Sequence, residues 1–367
     1  MPLFIGVMSG TSMDAVDVAL VEFGGHGPRL VAAVSSPWPT MLGERLHELA
    51  AGRPIDATAF ATLDTAVGGF LADAVGRLLE RHAVCAEDVS AIGCHGQTVT
   101  HAPHADPATT LQLGDANVIA ERTGITTVND FRRRDLAAGG QGAPLAPAFH
   151  AATLRDPTEN RVVLNLGGIA NITILPADPG LPVSGFDTGP ANCLMDAWTR
   201  RHQGRPYDTG GEWAASTASH QGLLASLLDD PFFAAPPPKS TGTQQFSLPW
   251  LEARLTAFAG LSADTIQATL LALTAQTVAD AVRRHAPATE RVLVCGGGVH
   301  NRVLVNRLRG LLEIPLESTA GQGIDPDWME AMAFAWLAQQ TLSNAAGNMP
   351  TVTGARGPRI LGAIHPA

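Results

Sequence analysis

The stretch FIGVMSGTSMDAVDVALVEF, residues 4–23, contains two apolar runs joined by a polar turn. The runs cover residues 4–7 and 16–21 and include β-branched side chains, whereas residues 9–14 read Ser-Gly-Thr-Ser-Met-Asp. Apolar runs that flank a turn of this composition are typical of a β-hairpin. The stretch therefore predicts two antiparallel strands near the start of the chain.

The turn of this hairpin has residue types that suit a phosphate group. Gly10 lets backbone N–H groups approach a ligand closely, and Thr11 and Ser12 add hydroxyls to turn amides that can form an anion-binding concavity. Asp14 and Asp17 could hold the Mg²⁺ that accompanies a nucleotide, because Mg²⁺ takes oxygen ligands and usually only one or two carboxylates. The same residue types also build ordinary hairpin turns, so both interpretations stand.

A second stretch, RVVLNLGGIANITIL at residues 161–175, repeats this form around Gly167 and Gly168. Two such hairpins, each near the start of a roughly equal half, predict an internally duplicated α/β protein with a sheet in each half and a cleft between them. A chain of 367 residues also exceeds the size at which one core stops growing. We expect an N-terminal lobe over residues 1–140 and a C-terminal lobe over residues 141–367, with the last segment able to pack back on the first lobe.

Composition and charge disfavour some kinds of binding partner. The chain has 24 Lys and Arg against 34 Asp and Glu, a net charge of −10, which argues against nucleic acid or an anionic membrane as partner. The N-terminus lacks the basic region of a signal peptide, and no apolar run is long enough to span a membrane. The four cysteines are scattered, as expected of free thiols in a reducing cytoplasm. The sequence leaves the oligomeric state open, a homodimer included.

The remaining pattern alternates helices and strands. Helices are predicted over residues 42–49, 57–82, 116–122, 191–201, 264–284 and 327–342, and strands over residues 89–94, 111–113, 126–128 and 291–295. The strand at 89–94 runs into Gly-Cys-His-Gly-Gln-Thr at residues 93–98, which would present His95 and Gln97 at a site. His95, His101 and His104 match no zinc spacing that can be defended, so hydrogen bonding is favoured over metal binding. Arg132, Arg133 and Arg134 lie in a dense charge cluster, and one of them could clamp an oxyanion.

Three further positions are candidates for chemistry. Asp187, in Phe-Asp-Thr-Gly-Pro, would stand between a strand end and a helix that starts near Pro190, where it could be a catalytic carboxylate or a helix cap. Gly296, Gly297 and Gly298 follow a strand and could cradle an adenosine or a phosphate, although a glycine run alone is weak evidence. Glu330 pairs with Asp327 as a possible capping box, so it has both a structural and a functional explanation.

Taken jointly and in order, these motifs resemble the anhydro-N-acetylmuramic acid kinases, within the actin-like, sugar-kinase-like ATPases. The motifs that carry the resemblance are MSGTSMDAVD, GCHGQT, NDFRRRDLAAGGQGAP, NLGGIANIT, GFDTGPANCLMDAW, PPKSTG, CGGGVHN and DPDWMEAMAFAWLA. The resemblance covers nearly the whole chain. It implies an α/β fold of two actin-like (ribonuclease H-like) lobes with an ATP cleft between them.

The resemblance also implies a reaction. ATP, water and 1,6-anhydro-N-acetylmuramic acid give ADP and N-acetylmuramic acid 6-phosphate, a step of bacterial cell-wall recycling in the cytoplasm. Because O6 is tied to C1 in the anhydro sugar, water must attack C1 while O6 captures the γ-phosphoryl group. By resemblance Asp187 takes the proton of the water, and ATP and Mg²⁺ are the required small molecules.

The implied roles of the other residues form three groups. The substrate would contact His95, Gln97, Arg132 and Glu330, and the metal would be held by Asp14 and Asp17. The nucleotide would be held by glycine-rich turns and their neighbours, which are Gly10, Thr11, Ser12, Met13, Asp14, Ala15, Val16, Asp17, Gly167, Gly168, Gly296, Gly297 and Gly298.

The chain departs from the family pattern at two places. Ala15 stands where Gly is usual, which would strain the turn if that position needs a positive φ. Thr243 and Gln244 replace a charged pair in the loop after Pro238. Two rival functions also stay open: a kinase of the same fold that acts on an ordinary sugar hydroxyl, and a nucleotide-binding partner protein without a small substrate.

Overall fold

The computed structural model describes residues 2–10, 13–25 and 27–367. Its strands are β1 (Leu3–Ser9), β2 (Ala15–Gly24), β3 (Gly27–Pro37), β4 (Val89–Ala102), β5 (Thr109–Leu113), β6 (Thr127–Asn129), β7 (Arg161–Leu166), β8 (Ile169–Leu175), β9 (Ser184–Pro190), β10 (Arg291–Cys295), β11 (Leu316–Ser318) and β12 (Ala363–His365). Both predicted hairpins are confirmed, as β1–β2 and β7–β8.

The helices alternate with these strands. They are α1 (Thr40–Ala50), α2 (Ala57–His82), α3 (Ala116–Thr123), α4 (Arg133–Ala137), α5 (Ala146–Leu154), α6 (Asn192–Gln203), α7 (Gln221–Leu228), α8 (Pro231–Ala234), α9 (Leu248–Leu255), α10 (Ala263–His285), α11 (Arg302–Leu312), α12 (Met329–Leu342) and α13 (Pro350–Thr353). In the described part of the chain, no helix combines the length and the hydrophobicity needed to span a membrane.

The chain forms two compact units, one of residues 1–153 and 323–367, the other of residues 154–322. Unit 1 holds a sheet in the order β12-β6-β4-β1-β2-β3, with β5 paired to β4, and unit 2 holds a sheet in the order β11-β10-β7-β8-β9. In each sheet three antiparallel strands form a meander. A later strand pairs in parallel with the first strand of that meander, and a second later strand pairs in parallel with the first of these two. The predicted α/β fold with duplicated halves is confirmed by this shared topology.

In unit 1, α12 packs directly on β1 and β4. A Cβ atom on Gly6 would overlap the carbonyl oxygen of Ala331, and one on Gly93 would overlap that of Phe334. Glycine at both strand positions therefore lets the helix backbone approach the sheet. This close approach brings Glu330, in the first turn of α12, to the sheet end where the polar residues of β4 lie.

The C-terminal segment is also tied into unit 1 by the buried side chain of Asp135. Its carboxylate accepts hydrogen bonds from the backbone N–H of Gly142 at 2.8 Å, from Asn348 Nδ2 at 2.7 Å and from Thr353 Oγ1 at 2.9 Å. Three donors on one buried carboxylate compensate for its desolvation. The passage from Gly139 to Gly142 therefore lies inside unit 1.

Three local predictions were wrong. The strand at residues 89–94 continues to Ala102, so His95 and Gln97 lie within β4, where parallel pairing with β1 and antiparallel pairing with β5 extend it. The helix after Pro190 starts at Asn192, because Pro190 still pairs with β8 at the end of β9. The capping box at Asp327 is absent, since α12 starts at Met329 with Trp328 as N-cap and no side-chain cap.

The core of unit 2 is formed by α10 against its sheet. The middle of this helix is buried almost all round, and Thr274 Oγ1 donates to the carbonyl of Pro190 at 2.9 Å. A helix buried on most of its surface is typical of the interior of a layered α/β unit. Helix α10 packs against β9, the strand that carries Asp187.

Candidate active site

Hydrogen bonds hold both ends of the turn between β1 and β2. Ser9 Oγ donates to the carbonyl of Ala15 at 3.0 Å and accepts a hydrogen bond from Trp38 Nε1 at 3.1 Å. Met13 N donates to the carbonyl of Gly10 at 3.2 Å, and Thr11 and Ser12 lie outside the described residues. These hydrogen bonds hold the described residues on either side of Thr11 and Ser12 in place.

The Ala15 substitution introduces no backbone strain. Ala15 is the first residue of β2, whereas the positive φ in this turn, 57°, belongs to Met13. Positive φ is costly for residues with a Cβ. Strain is therefore stored at Met13, next to the predicted phosphate contact, and the sequence departure at Ala15 is structurally neutral.

The side chain of Gln97 supports the turn through a hydrogen bond to Gly10. Its side chain is 0% exposed, and Nε2 donates to the carbonyl of Gly10 at 3.2 Å and to that of Thr98 at 3.1 Å. A side chain held in this way positions the turn and is shielded from solvent. No sequence pattern predicts this contact, which joins residues far apart in the chain.

Asp17 provides a partly buried carboxylate on β2 beside the turn. Burial raises its pKa, a hydrogen bond from Ser35 lowers it, and the nearby charge of Asp327 raises it further. Asp14 is exposed at the turn itself. Within residues 2–10, 13–25 and 27–367 no cluster of three or more His, Cys, Asp or Glu could hold a metal ion. The donor set fits Mg²⁺, which keeps several waters and binds through one or two carboxylates, and a cation would relieve the repulsion between Asp17 and Asp327.

His95 and Arg132 form the second polar group of unit 1. Arg132 Nε and Nη2 approach His95 Nε2 at 3.1 and 2.9 Å, and Nη1 donates to the carbonyl of Gly142 at 2.8 Å. Because a guanidinium only donates, His95 Nε2 must accept, which places the imidazole proton on Nδ1. Burial and then the charge of Arg132 hold the pKa of His95 well below its ordinary value. His95 is therefore a buried, neutral imidazole that accepts from Arg132.

Glu330 completes this group. Its side chain is open to solvent, yet the protein around it desolvates the carboxylate and raises its pKa, Arg132 lowers that pKa, and Asp17 raises it. Burial in turn lowers the pKa of Arg132 to about 10, and Glu330 opposes that change. Accessible polar groups with perturbed pKa values mark candidate functional sites. The structure thus places Arg132 against His95 and within electrostatic reach of Glu330, and the ring centroid of Phe334 lies 4.8 Å from that of His95.

In unit 2, Asp187 lies inside β9 and not at a helix start. Its backbone N–H donates to the carbonyl of Lys239 at 3.1 Å, and its Oδ2 accepts from the backbone N–H of Thr241 at 2.8 Å. The N-cap of α6 is Ala191, without a side-chain cap, so Asp187 does not cap that helix. Burial raises its pKa to about 6, while the Thr241 hydrogen bond and the charge of Lys239 act in the opposite direction.

Lys239 lies close enough to Asp187 for their charges to interact, but its ammonium donates its hydrogen bonds to other groups. Its Nζ donates to the carbonyls of Phe232 at 3.0 Å and Phe233 at 3.3 Å, and it lies 4.7 Å from the centroid of the Phe232 ring. Burial lowers its pKa, Arg284 lowers it further, and Asp187 raises it. Lys239 therefore anchors the segment that holds Asp187.

The turn at Gly167 and Gly168 is locked to the start of α6. The carbonyl of Gly168 accepts from the N–H groups of Ala191 and Cys193 at 3.0 and 3.1 Å, and that of Gly167 accepts from Asn192 at 3.0 Å. These bonds satisfy amides that a helix start leaves without intrahelical partners. Gly168 remains exposed, so the turn can receive a ligand while its carbonyls stay engaged.

Gly297 lines a pocket of about 400 Å³, with Gly296 and Gly298 on either side of it in the chain. Gly296 has φ 80°, and a Cβ there would overlap Asn165 Oδ1; a Cβ on Gly298 would lie 2.5 Å from Leu166 Cβ. Gly297 faces open space. The lack of a side chain at Gly296 and Gly298 thus lets the turn pack closely against β7. At Gly297 it leaves the pocket open.

The other walls of this pocket were not predicted. They are Asn192, Met195, Asp196, Tyr207, Asp208, Thr209, Gly210, His300 and Asn301. Asp208 is buried and accepts from the N–H groups of Trp213 and Ala214, both at 2.9 Å, so it shapes the wall. The turn-forming run Asp-Thr-Gly-Gly at residues 208–211 was a signal that could have pointed to it.

Comparisons with known proteins agree over the whole chain. The family model described as anhydro-N-acetylmuramic acid kinase matches residues 2–367. A protein of that name from Xanthomonas campestris pv. campestris (strain 8004) is 54% identical, covering 100% of this chain and 98% of its own length. Another from Xylella fastidiosa (strain Temecula1 / ATCC 700964) is 53% identical, covering 100% and 97%.

Solved structures are more distant. The (R)-2-hydroxyglutaryl-CoA dehydratase component A of Acidaminococcus fermentans has a TM-score of 0.48 at 12% identity, covering 91% of this chain and 96% of its own. A ROK family glucokinase from Streptomyces griseus, in complex with glucose and AMPPNP, has a TM-score of 0.39 at 16% identity, covering 92% and 99%.

Proposed function

The chain belongs to the anhydro-N-acetylmuramic acid kinase family, and on that premise we propose how its residues divide the work of the reaction. The enzyme opens 1,6-anhydro-N-acetylmuramic acid with water and phosphorylates O6 from ATP, giving N-acetylmuramic acid 6-phosphate and ADP. Identity of 53–54% over the full chain favours this activity over a kinase for ordinary sugar hydroxyls or a partner protein without a substrate.

Asp187 is the general base of this proposal. Water forms the new C1–O bond as the C1–O6 bond breaks; O6 forms a bond to the γ-phosphorus as the bond to ADP breaks; and the proton of the water passes to the carboxylate. A base works best with a pKa near the operating pH. The single observation that carries the assignment is the geometry of Asp187, a half-buried carboxylate on β9 that the backbone N–H of Thr241 holds at 2.8 Å. Burial raises its pKa to about 6, which suits this role.

The sugar is assigned to the polar group on β4 and α12. The Arg132 guanidinium suits the lactyl carboxylate, because it can donate to an anion from several N–H groups at once. The accessible carboxylate of Glu330 offers an acceptor for the amide and hydroxyl groups of the sugar, and the buried His95 accepts from Arg132 and so positions its guanidinium for the substrate. Gln97 contributes by holding the Gly10 turn.

The nucleotide is assigned to the glycine turns. The turn that follows Ser9 and the one at Gly167 and Gly168 would face phosphates, and the pocket beside Gly297 has the size and mixed polarity of an adenosine site. Asp14 and Asp17 would hold Mg²⁺, which would neutralise charge on the transferred phosphoryl group. We also place the protein in the cytoplasm, where ATP is supplied.

Mass spectrometry of the product made in ¹⁸O water tests the reaction. Attack of water at C1 predicts one ¹⁸O atom at C1 and none in the phosphoryl group. Label in the phosphoryl group, or an unlabelled sugar product, would refute the proposed course.

A further inference from the structure

A second polar pocket of unit 2 lies behind the strand that carries Asp187. It has a volume of about 260 Å³ and is lined by Thr188 of β9, by the 280–285 end of α10 and by Lys239. Successive side chains of a strand point to opposite faces. Thr188 lines this pocket, and the ring centroid of Phe186 lies 4.9 Å from that of His285, which also lines it. The side chain of Asp187, between these two residues, therefore points to the other face of β9. The pocket is therefore separate from the base.

Two cationic groups and a histidine meet in this pocket. Lys239, Arg284 and His285 all line it. Arg284 lowers the pKa of Lys239, and Arg284 and Lys239 both lower the pKa of His285, each after the larger effect of burial. These mutual effects mean that the groups lie within electrostatic reach of one another and repel.

The acidic group of the pocket, Asp280, is one carboxylate beside the two full positive charges of Lys239 and Arg284. Asp280 Oδ1 accepts from Gln276 Nε2 at 2.9 Å and lies 3.5 Å from Arg283 Nη1, so it is shared with residues outside the pocket lining. Arg284 forms no ion pair within the part of the chain that the structure describes. A protein with a net charge of −10 thus keeps a cationic pocket of molecular size.

We propose that this pocket binds a small phosphomonoester as an effector. A guanidinium fork and an ammonium are the groups that proteins use for phosphate. Lys239 Nζ already donates to two carbonyls, and an ammonium has three N–H donors, so one remains for a ligand. Phe233 and Leu228 add apolar surface beside the cations, which suits the carbon body of a sugar phosphate better than free phosphate.

Binding there would act on the catalytic segment through Lys239. The carbonyl of Lys239 accepts from the N–H of Asp187, and Thr241, two residues later, donates to its carboxylate. An anion bound to the Lys239 ammonium therefore holds the same three-residue segment that holds the base. The inference concerns this second pocket and stands whatever the substrate of the enzyme is.

Isothermal titration of the full chain with glucose 6-phosphate and, separately, with inorganic phosphate tests the proposal. Both titrations are run with ADP and Mg²⁺ at saturation, so that the nucleotide site is filled. We expect glucose 6-phosphate to bind, more tightly than inorganic phosphate, and Arg284→Gln to weaken it by at least about tenfold, the loss expected for a charged hydrogen-bond partner. Arg284→Lys should keep most of the affinity.

Arg307→Gln is the matched control, because Arg307 is an exposed arginine of the same unit on α11. The affinity of the Arg307→Gln variant for glucose 6-phosphate should equal that of the unaltered protein. Arg284 is exposed as well, so its replacement should leave the melting temperature unchanged. Absence of binding, or binding that Arg284→Gln leaves intact while the protein stays folded, would overturn the proposal. Tighter binding of inorganic phosphate would overturn the assignment to a phosphomonoester.

Discussion

The backbone N–H of Thr241 donates a 2.8 Å hydrogen bond to Oδ2 of Asp187. This contact links the loop after Pro238 to the carboxylate assigned as the base, across more than 50 residues of sequence. It leaves Oδ1 available for a water molecule. The side chains at Thr243 and Gln244, where the chain departs from its family, are not needed for it, because the donor is a backbone group.

Replacing the base tests its role directly. Asp187→Asn should lower kcat by about 10²–10⁴-fold, because an amide cannot take the proton of the water. The Thr241 N–H can still donate to the amide oxygen, so the fold should persist. Steady-state kinetics with a circular dichroism check measures this. The control is Asp229→Asn, which replaces an exposed acid of the same unit and should have a normal kcat. A near-normal kcat for Asp187→Asn would place the base elsewhere.

The pH profile should report the buried carboxylate. Burial raises the pKa of Asp187 to about 6, and only the ionised form accepts a proton. Activity should therefore be full above that pH and fall as the pH drops through it. The charge of Lys239 lowers this pKa, so Lys239→Gln should move the acid limb of kcat/KM to higher pH. A limb near pH 4, or a shift to lower pH in the variant, would contradict the assignment.

Removing the exposed turn carboxylate should affect the nucleotide. We expect Asp14→Ala to weaken binding of Mg²⁺ with a non-hydrolysable ATP analogue and to spare binding of the sugar, because Asp14 stands at the turn and not beside Arg132. Calorimetry with each ligand separates the two effects. Equal affinity for the nucleotide in variant and parent would argue that Asp14 is only a turn residue.

The hydrogen-bond chain under the turn should be needed for nucleotide affinity. Trp38→Phe removes the donor to Ser9 Oγ, and Gln97→Leu removes the donor to the Gly10 carbonyl. A buried hydrogen bond contributes about 0.5–1.5 kcal/mol, so each change should raise KM for ATP by up to about tenfold. KM for the sugar should rise in Gln97→Leu only if Gln97 also contacts the substrate, which its full burial argues against.

The close packing of α12 should make Gly6 intolerant of any side chain. A Cβ at this position would overlap the backbone oxygen of Ala331, so Gly6→Ala should destabilise the protein by about 3 kcal/mol or more. Gly76→Ala on α2 meets no atom within 4 Å and should be neutral or stabilising, since alanine favours a helix. Thermal denaturation compares them, and equal melting temperatures would disprove the packing argument.

Much of the local structure followed from residue pattern. The hairpins at residues 4–23 and 161–175 and the helix at residues 57–82 were predicted within a few residues. Their signals are local: apolar runs around a glycine turn, and a long segment free of proline. The wrong boundaries, at β4, Pro190 and Asp327, lie where pairing or packing partners elsewhere in the chain extend or shorten an element.

By itself the sequence determined the family, the duplicated α/β fold, and the choice of Asp187, Arg132 and Glu330 as residues of interest, because these depend on motifs read in order along the chain. The tertiary structure alone decided what each group is able to do. The proton of His95 sits on Nδ1 because Arg132 lies against Nε2; Gln97 holds Gly10; and burial gives Asp187 the pKa of a base. Tautomer, exposure and pKa are set by the atoms around a group, and those neighbours come from distant parts of the chain.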